Sequence, residues 1–355
     1  MALTDPPEDA LASDCRTVGD LVALARRRLP DDVWDFVDGG AGTEATVARN
    51  RAALDALLFA PRALRGAGTP RLATSFAGLE LDSPVMLAPV GSIALLDPRG
   101  AAACARAAHR AGTAAWIGVL SSPSLEEVAA DSPGPLALQL SVRSDRALAR
   151  DLAQRASDSG YAALCITVDS PTDGWRDRER RHILQRRAAL TTPNLDRTGL
   201  GRAGAPTMTW KDVAWLRDEV ALPLVLKGIT AVADAERAAD LGLAGVIVSN
   251  HGGRQLDHQP AAIESLQRIA DAVGDRIELA VDGSIMRGTD VAKALALGAR
   301  AVLAGRLMCW GLAAGGEDGV VRALELVTGE LRTTLTQLGV ADVGELSREH
   351  LMLGA

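Results

Sequence analysis

A carboxylate, an ammonium and an imidazole stand at the ends of three successive apolar runs. Asp169 follows Ala163 to Val168, Lys227 closes Leu224 to Lys227, and His251 follows Gly245 to Ser249. Brought together, such a trio performs proton transfer: the imidazole accepts a proton, while the carboxylate orients the ring and stabilises its protonated form. The His251 and Asp169 pair would equally serve as a plain structural hydrogen bond. Arg254, three residues after His251, and Arg176, further along from Asp169, supply planar bidentate donors that suit a substrate carboxylate. Either arginine alone reads as a solvated surface charge. Gly283 and Gly305 allow backbone N–H groups to approach an anion closely, and Arg306 adds a charge-assisted fork. That combination predicts a phosphorylated ligand; the plainer reading is that these glycines only turn the chain out of a strand.

The elements that must position these groups form a repeat of helix, glycine and strand. Candidate strands are Val85 to Ala88, Ala114 to Gly118, Leu136 to Leu140, Ala163 to Val168, Leu224 to Lys227, Gly245 to Ser249, Leu279 to Asp282 and Ala301 to Gly305. Between them Arg99 to Ala111, Asp145 to Ser159, Ala231 to Leu241, Ile263 to Val273 and Gly288 to Leu297 carry helical spacing of Ala, Leu and Val. Gly112, Gly160, Gly242, Gly274 and Gly298 stand just past these helices, as C′ glycines do. Eight such strands predict an α/β fold of (β/α)8 TIM-barrel type. We expect one domain over 1–355: a helical preface at 1–80 (helices Val18 to Arg28 and Thr43 to Leu57), a barrel at 84–310 and a closing helix at 317–338. Residues 170–209, rich in arginine, are too long for an ordinary connection and read as an extended lid loop after the fourth strand. Active groups in this fold gather at the C-terminal strand ends. That rule selects Ala88-Pro89-Val90-Gly91, Gly118, Gln139, Thr167 to Asp169, Lys227, Ser249 to His251, Asp282 to Ser284, Gly305 and Arg306.

The 355 residues are 48% hydrophobic and carry a net charge of −7, which excludes a whole-chain footprint for nucleic acid or an anionic membrane. No apolar run reaches a membrane span, Leu11 to Ala12 and Leu21 to Ala25 being short and broken by charge, so a soluble cytoplasmic protein is expected. Cys15, Cys104, Cys165 and Cys309 are scattered without CxxC pairing, and His251 with His258 lacks the spacing of a zinc pair, so no metal site is expected. Gly199 to Gly204 matches GxGxxG, but no strand precedes it.

Ser249-Asn250-His251-Gly252-Gly253-Arg254-Gln255-Leu256-Asp257 closely resembles the signature of the FMN-dependent 2-hydroxy-acid oxidase and dehydrogenase family, the glycolate, lactate and mandelate oxidising enzymes. Thr167-Val168-Asp169-Ser170-Pro171, Leu226-Lys227-Gly228-Ile229, Asp282-Gly283 with Arg287-Gly288-Thr289-Asp290, and Ala294 to Ala299 join it in order. The stretch from Trp34-Asp35-Phe36 through Gly39-Gly40-Ala41-Gly42 to Asn50-Arg51 looks most like hydroxymandelate oxidases of secondary metabolism. The resemblance implies FMN as cofactor, with His251 as the base, Asp169 orienting it, and Arg254 and Arg176 holding the substrate carboxylate. It also places Lys227 by the N1/O2 edge of the flavin. Pro89, Val90, Gly91, Gly118, Gln139, Thr167 and Ser249 match positions lining the ring and ribityl chain; Asp282, Gly283, Ser284, Gly305 and Arg306 match those holding ribityl and phosphate. The family's tetramers imply a homo-oligomer.

The departures from the family pattern matter as much. Phe36 and Ser141 stand where the family places two tyrosines, one for the substrate carboxylate and one for its hydroxyl. The only tyrosine, Tyr161, precedes the fourth strand and so belongs at the other end of the barrel. Met286 replaces a phosphate-binding arginine, with Arg287 beside it as a partial substitute. Gly91, Gly118, Leu120 and Ser141 are small or aliphatic, which predicts a roomier pocket. The expected reaction is oxidation of a bulky aromatic 2-hydroxy acid, hydroxymandelate-like, with O2 as acceptor, and Phe36, Ser141 and Leu120 among the substrate contacts. Lid arginines Arg178, Arg180, Arg181, Arg186 and Arg187 are available to attract an acid or simply to face solvent. Two alternatives stay open: FMN-dependent oxidation or oxidative decarboxylation of an amino acid, peptide or carrier-bound intermediate, and an impaired flavin-binding homologue.

Overall fold

The computed structural model describes residues 15–66, 68–141, 145–182, 190–196 and 208–352. A short strand β1 (Leu58–Phe59) and a hairpin of β2 (Thr74–Phe76) and β3 (Leu79–Leu81) precede the barrel. The barrel strands are β4 (Val85–Leu87), β5 (Ala115–Gly118), β6 (Leu136–Leu140), β7 (Ala163–Thr167), β8 (Leu224–Ile229), β9 (Gly245–Val248), β10 (Glu278–Val281) and β11 (Ala301–Ala304). All eight are parallel and close on themselves through the pairing of β11 with β4. A final strand β12 (Leu351–Met352) pairs antiparallel with β1.

Side chains alternate across a strand, and that period of two organises the molecule. Met86, Trp116, Ala137, Cys165, Val225, Ile247, Ala280 and Leu303, one from each barrel strand, fill the interior in a single apolar cluster. Large and small residues complement one another here, Trp116 standing beside Ala137 in the register of β5 and β6. Phe76 of the hairpin is fully buried at the same cluster, its ring 6.2 Å from that of Trp116. The residues of opposite parity, such as Leu87, Leu138, Leu164, Leu226 and Val246, pack outward with the helices.

The predicted helices appear at Gly100–Arg110, Arg146–Asp158, Val232–Asp240, Ala262–Val273 and Gly288–Ala296. Gly112, Gly160, Gly242 and Gly298 adopt positive φ as C′ glycines. Gly274 does not: its φ is −64°, and it extends the helical turn instead. Two barrel helices were not anticipated, Leu125–Asp131 and Trp210–Glu219. Each opens with a capping box, Ser124 with Glu127 and Thr209 with Asp212, which is the local signal that marks their starts.

In the preface, helices Val18–Arg28 and Ala45–Ala56 match expectation, with an extra helix Asp31–Asp38 between them. The closing helix begins earlier than predicted. It runs from Arg306 to Leu338, interrupted by non-helical backbone at Gly315 and Gly316, and it packs on Val18–Arg28 and Gly100–Arg110. The segment 170–209 is not extended throughout: its described residues carry helices Asp177–His182 and Pro193–Asp196. The GxGxxG match at Gly199 to Gly204, the apolar pair Leu11 to Ala12, and Arg186 and Arg187 lie outside the described residues. Among the described residues no helix is long and apolar enough to cross a membrane.

Candidate active site

One step beyond the apolar interior, the same inward parity delivers a second ring: Ala88, Gly118, Gln139, Thr167, Lys227, Ser249, Asp282 and Gly305. Five of the eight are polar, and they come from the contiguous strands β6 to β10; the other three are glycine or alanine. This ring floors a cavity of about 1040 Å³ at the C-terminal end of the barrel. Pro89, Val90, Gly91, Leu120, Gln139, Ser141, Thr167, Lys227, Asp282, Gly283, Ser284 and Gly305 all border it, as do Phe36, Arg176, His251, Arg254 and Arg306.

Lys227 is buried in the floor, with Nζ 2.7 Å from Asp282 Oδ2 and donating to Ser249 Oγ at 2.9 Å. Burial alone would lower its pKa, but the carboxylates of Asp282 and Asp169 outweigh that and raise it. Ser249 is completely buried and also accepts from His251 N at 3.0 Å. Ser249 thus braces both Lys227 and the His251 turn from within the floor.

His251 Nδ1 lies 3.0 Å from Asp169 Oδ1. Burial tends to raise the Asp169 carboxyl, yet the charges of His251 and Lys227 and the bonds from His251 and Ser170 hold it below the ordinary range. Gly228 is required beneath this pair: its φ is +104°, and a Cβ there would come within 2.5 Å of Asp169 Cγ. His251 itself sits at φ +59°, followed by Gly252 and Gly253 in the same region. For a residue with a Cβ that conformation costs roughly 1–2 kcal/mol, so the surrounding bonds must enforce it.

The arginines are held more tightly than the sequence implied. Arg254 donates to Gly39 O at 2.7 Å and lies over the Phe36 ring at 5.2 Å. Arg176 is paired with Glu179 and donates to Arg254 O at 3.0 Å. Arg306 donates to the carbonyls of Asp38, Gly39 and Gly252. Burial, then the neighbouring charges of Arg306 and Arg176, push Arg254 down to about 9. An anion bound among these three cations relieves that repulsion.

Arg287 is a clear correction. Its guanidinium pairs with Glu330 at 2.7 Å, half exposed on the outer surface, and does not border the cavity. Arg51 does border it, gripping Asp290 at 2.7 and 2.9 Å and donating to Ser284 O at 3.1 Å. Met286 and Arg287 offer their backbone N–H groups to the same Asp290. The cation beside the expected phosphate loop thus comes from the preface. Arg178 is also occupied, paired with Glu44 and Asp38, and Arg180 stacks on Trp175 at 3.8 Å. Tyr161 is buried at the far end of the barrel, donating to Leu125 O at 2.9 Å. Gln139 donates to both Ser141 Oγ and Thr167 Oγ1, at 2.7 and 2.8 Å.

The floor fits a flavin mononucleotide. Among the described residues Asp282 Oδ1 is buried without a hydrogen-bond partner and suits a ribityl hydroxyl. Gly283 and Ser284 hold positive φ (100° and 63°) between Asp282 and the helix start at Gly288, and Arg51 flanks that turn by donating to Ser284 O. The profile of the FMN-dependent dehydrogenase family matches residues 25–353. The chain belongs to the FMN-dependent dehydrogenase family. FMN is accordingly its cofactor. It is 39% identical over 342 residues to a peroxisomal (S)-2-hydroxy-acid oxidase of Oryza sativa subsp. japonica, covering 93% of each chain. To an L-lactate oxidase of Nostoc sp. it is 40% identical over 350 residues, covering 93% of this chain and 96% of that one. A mandelate oxidase solved with benzoyl-formic acid superposes with a TM-score of 0.87 at 42% identity, over 95% of this chain and 97% of that one. Another, solved with 3,3-difluoro-2-hydroxy-3-phenylpropionic acid, gives 0.88 at 43%, over 96% and 99%. The FMN-dependent dehydrogenase chain described here is thus an oxidoreductase of the 2-hydroxy-acid oxidase type.

Proposed function

We propose that this protein oxidises a bulky aromatic 2-hydroxy acid to the corresponding 2-oxo acid, reducing O2 to hydrogen peroxide. The observation that carries the reading is His251, paired with Asp169, bordering the same cavity as Arg254, Arg176 and Lys227. Arg254 and Arg176 bind the substrate carboxylate, and His251 accepts a proton from the 2-hydroxy acid. Asp169, ionised across the working range, stabilises the resulting imidazolium and holds the ring in place. When bound, FMN takes up the two electrons removed from the substrate carbon. Lys227 keeps a positive charge in the floor, favouring negative charge that develops above it.

The width of the cavity supports an aromatic substrate. Ser141 is a small residue of the lining, and Leu148, Leu195, Met208, Trp210 and Val213 make other parts of it apolar. Gly91 contributes less room than its size implies, because Leu120 leans against it, 3.3 Å from where a Cβ would stand. The mandelate oxidases among the similar structures support the same substrate class.

The test is an anaerobic titration of the FMN-loaded protein with mandelate, hydroxymandelate and lactate, following the flavin absorbance. Bleaching by the aryl acids in preference to lactate is expected. Bleaching by lactate alone overturns the aromatic assignment, and product lacking the carboxyl carbon by mass spectrometry overturns simple oxidation.

A further inference from the structure

Asn50 lies on the preface helix Ala45–Ala56, outside the barrel, and Asn250 immediately precedes His251. Their side chains form a reciprocal amide pair: Asn50 Nδ2 donates to Asn250 Oδ1 at 2.9 Å, and Asn250 Nδ2 donates to Asn50 Oδ1 at 2.9 Å. Backbone groups settle which end of each amide is which. Ala262 N donates to Asn50 Oδ1 at 3.0 Å, Gly253 N donates to Asn250 Oδ1 at 3.2 Å, and Asn250 Nδ2 also donates to Pro260 O at 3.0 Å. Both residues are at most 1% exposed. The pair thus bridges the helix to both sides of the turn that carries His251.

We propose that Asn50 is a positioning residue for His251, acting through Asn250; this rests on the reading of His251 as the base. The His251–Gly253 turn holds three consecutive residues at positive φ, and only the first has a Cβ. Asn250 Oδ1 closes that turn by accepting Gly253 N, and Asn50 is the one side chain that donates to the same oxygen among the described residues. Without Asn50, the Asn250 amide is left partly unpaired in a dry environment and rotates to recover its bonds. The turn then loses its closure, and His251 moves relative to Asp169. The next residue, Arg51, grips the neighbouring Ser284–Asp290 loop instead. Asn50 also packs against Gly283, where a Cβ would stand 3.4 Å from its amide, so its effect on proton transfer is read per bound flavin, with FMN affinity measured beside it.

The experiment compares parent, Asn50→Leu, Asn50→Asp and His251→Gln holoenzymes by anaerobic flavin reduction with mandelate, as rate per bound flavin, beside the FMN affinity of each. The His251 imidazole is followed in parallel by 1H–15N NMR, its low-field Nδ1–H signal assigned by its absence in His251→Gln. Asn50→Leu is expected to reduce bound flavin about ten- to a hundredfold more slowly and to lose or shift the Nδ1–H signal. Asn50→Asp guards against a variant that does not fold. Protonated, its carboxyl donates to Asn250 Oδ1 and still accepts from Asn250 Nδ2 and Ala262 N; ionised, it opposes that oxygen. Its rate relative to the parent should therefore recover from about pH 9 to about pH 6 as burial favours the neutral acid. The charged groups on either side, Arg49 with Glu264 and Arg51 with Asp290, are ion-paired.

A parent-like rate with an unchanged Nδ1–H signal in the Asn50 variants overturns the proposal. So does a deficit in Asn50→Asp that is constant with pH at full flavin load, the behaviour of a merely structural residue. If His251→Gln bleaches as fast as the parent, or mandelate bleaches none of them, the base or substrate reading fails instead. The NMR signal then decides the Asn50 assignment alone.

Discussion

The carboxylate of Asp169 divides its two oxygens unequally: Oδ1 takes His251 Nδ1 at 3.0 Å, while Oδ2 is buried with no hydrogen-bond partner among the described residues. An acceptor left dry in this way is costly and by itself disfavours the charged form, so the negative charge is kept by the charges of His251 and Lys227 and by the bonds from His251 and Ser170. Asp169 is held below the ordinary carboxylate range, so it is ionised at every pH near neutrality.

Asp169→Asn should consequently slow flavin reduction by roughly a hundredfold or more, with a deficit that persists at about pH 6 as at about pH 8. Stopped-flow reduction at the two pH values checks this. A deficit that vanishes at the lower value would mean that the carboxylate titrates within the range and is not the fixed charge described.

Arg51→Leu should weaken FMN binding by about tenfold, equivalent to about 1.4 kcal/mol, because it frees Ser284 O and leaves the buried Asp290 carboxylate without its guanidinium. Arg287→Ala should leave the affinity within about twofold, since that side chain pairs with Glu330 on the outer face. Titrating both apoproteins with FMN by fluorescence separates the two; the reverse order would restore Arg287 to the phosphate site.

Phe36→Tyr adds a phenol beside Arg254, whose guanidinium already lies over that ring. A new hydrogen bond to a charged carboxylate contributes about 1.5–3 kcal/mol, so KM for a hydroxy acid should fall about tenfold or more. Ser141→Tyr should narrow the cavity toward Leu148 and Trp210 and lower the preference for aryl over short-chain acids. Steady-state kinetics with mandelate and lactate read both effects, and an unchanged preference would place the aryl group elsewhere.

Asp257 ties the preface to the barrel, accepting from Thr46 N at 2.8 Å and from Thr43 N at 2.9 Å. Burial would raise its pKa, but these and further hydrogen bonds lower it strongly. A depressed carboxyl contributes stability that is present above the unfolded value, about 3.9, and is lost as pH falls through the folded one. Asp257→Asn should therefore cost about 1–2 kcal/mol at pH 7, with the difference from parent shrinking below about pH 3. Urea denaturation at the two pH values measures it; a pH-independent difference would contradict the linkage.

The barrel was legible because each strand obeys one period and each helix another, with glycines at most of the boundaries. The site followed, since Lys227, His251, Asp282 and Arg306 sit at strand ends, where the fold gathers its chemistry. What the residues in order do not disclose is which partner a flexible cation chooses. Arg51 and Arg287 are equally plausible phosphate ligands along the chain, and only the packing of helix Ala45–Ala56 against the Ser284–Asp290 loop turns one inward and leaves the other to Glu330. Asn50 was hidden for a related reason. An asparagine draws attention only when its amide is seen to face another across 200 residues of chain.

The two stacked rings inside the barrel have a consequence for how such a protein changes over time. The lower ring is apolar and bound to the hairpin through Phe76, so it carries the cohesion; the upper ring, from Ala88 to Gly305, carries the reactivity. Each position of the upper ring belongs to a different strand and rests on its own residue two places earlier. A lineage can therefore exchange one group at the mouth without disturbing the closure of the sheet beneath it. Chemical novelty and structural heritage are kept on separate storeys of the same eight strands.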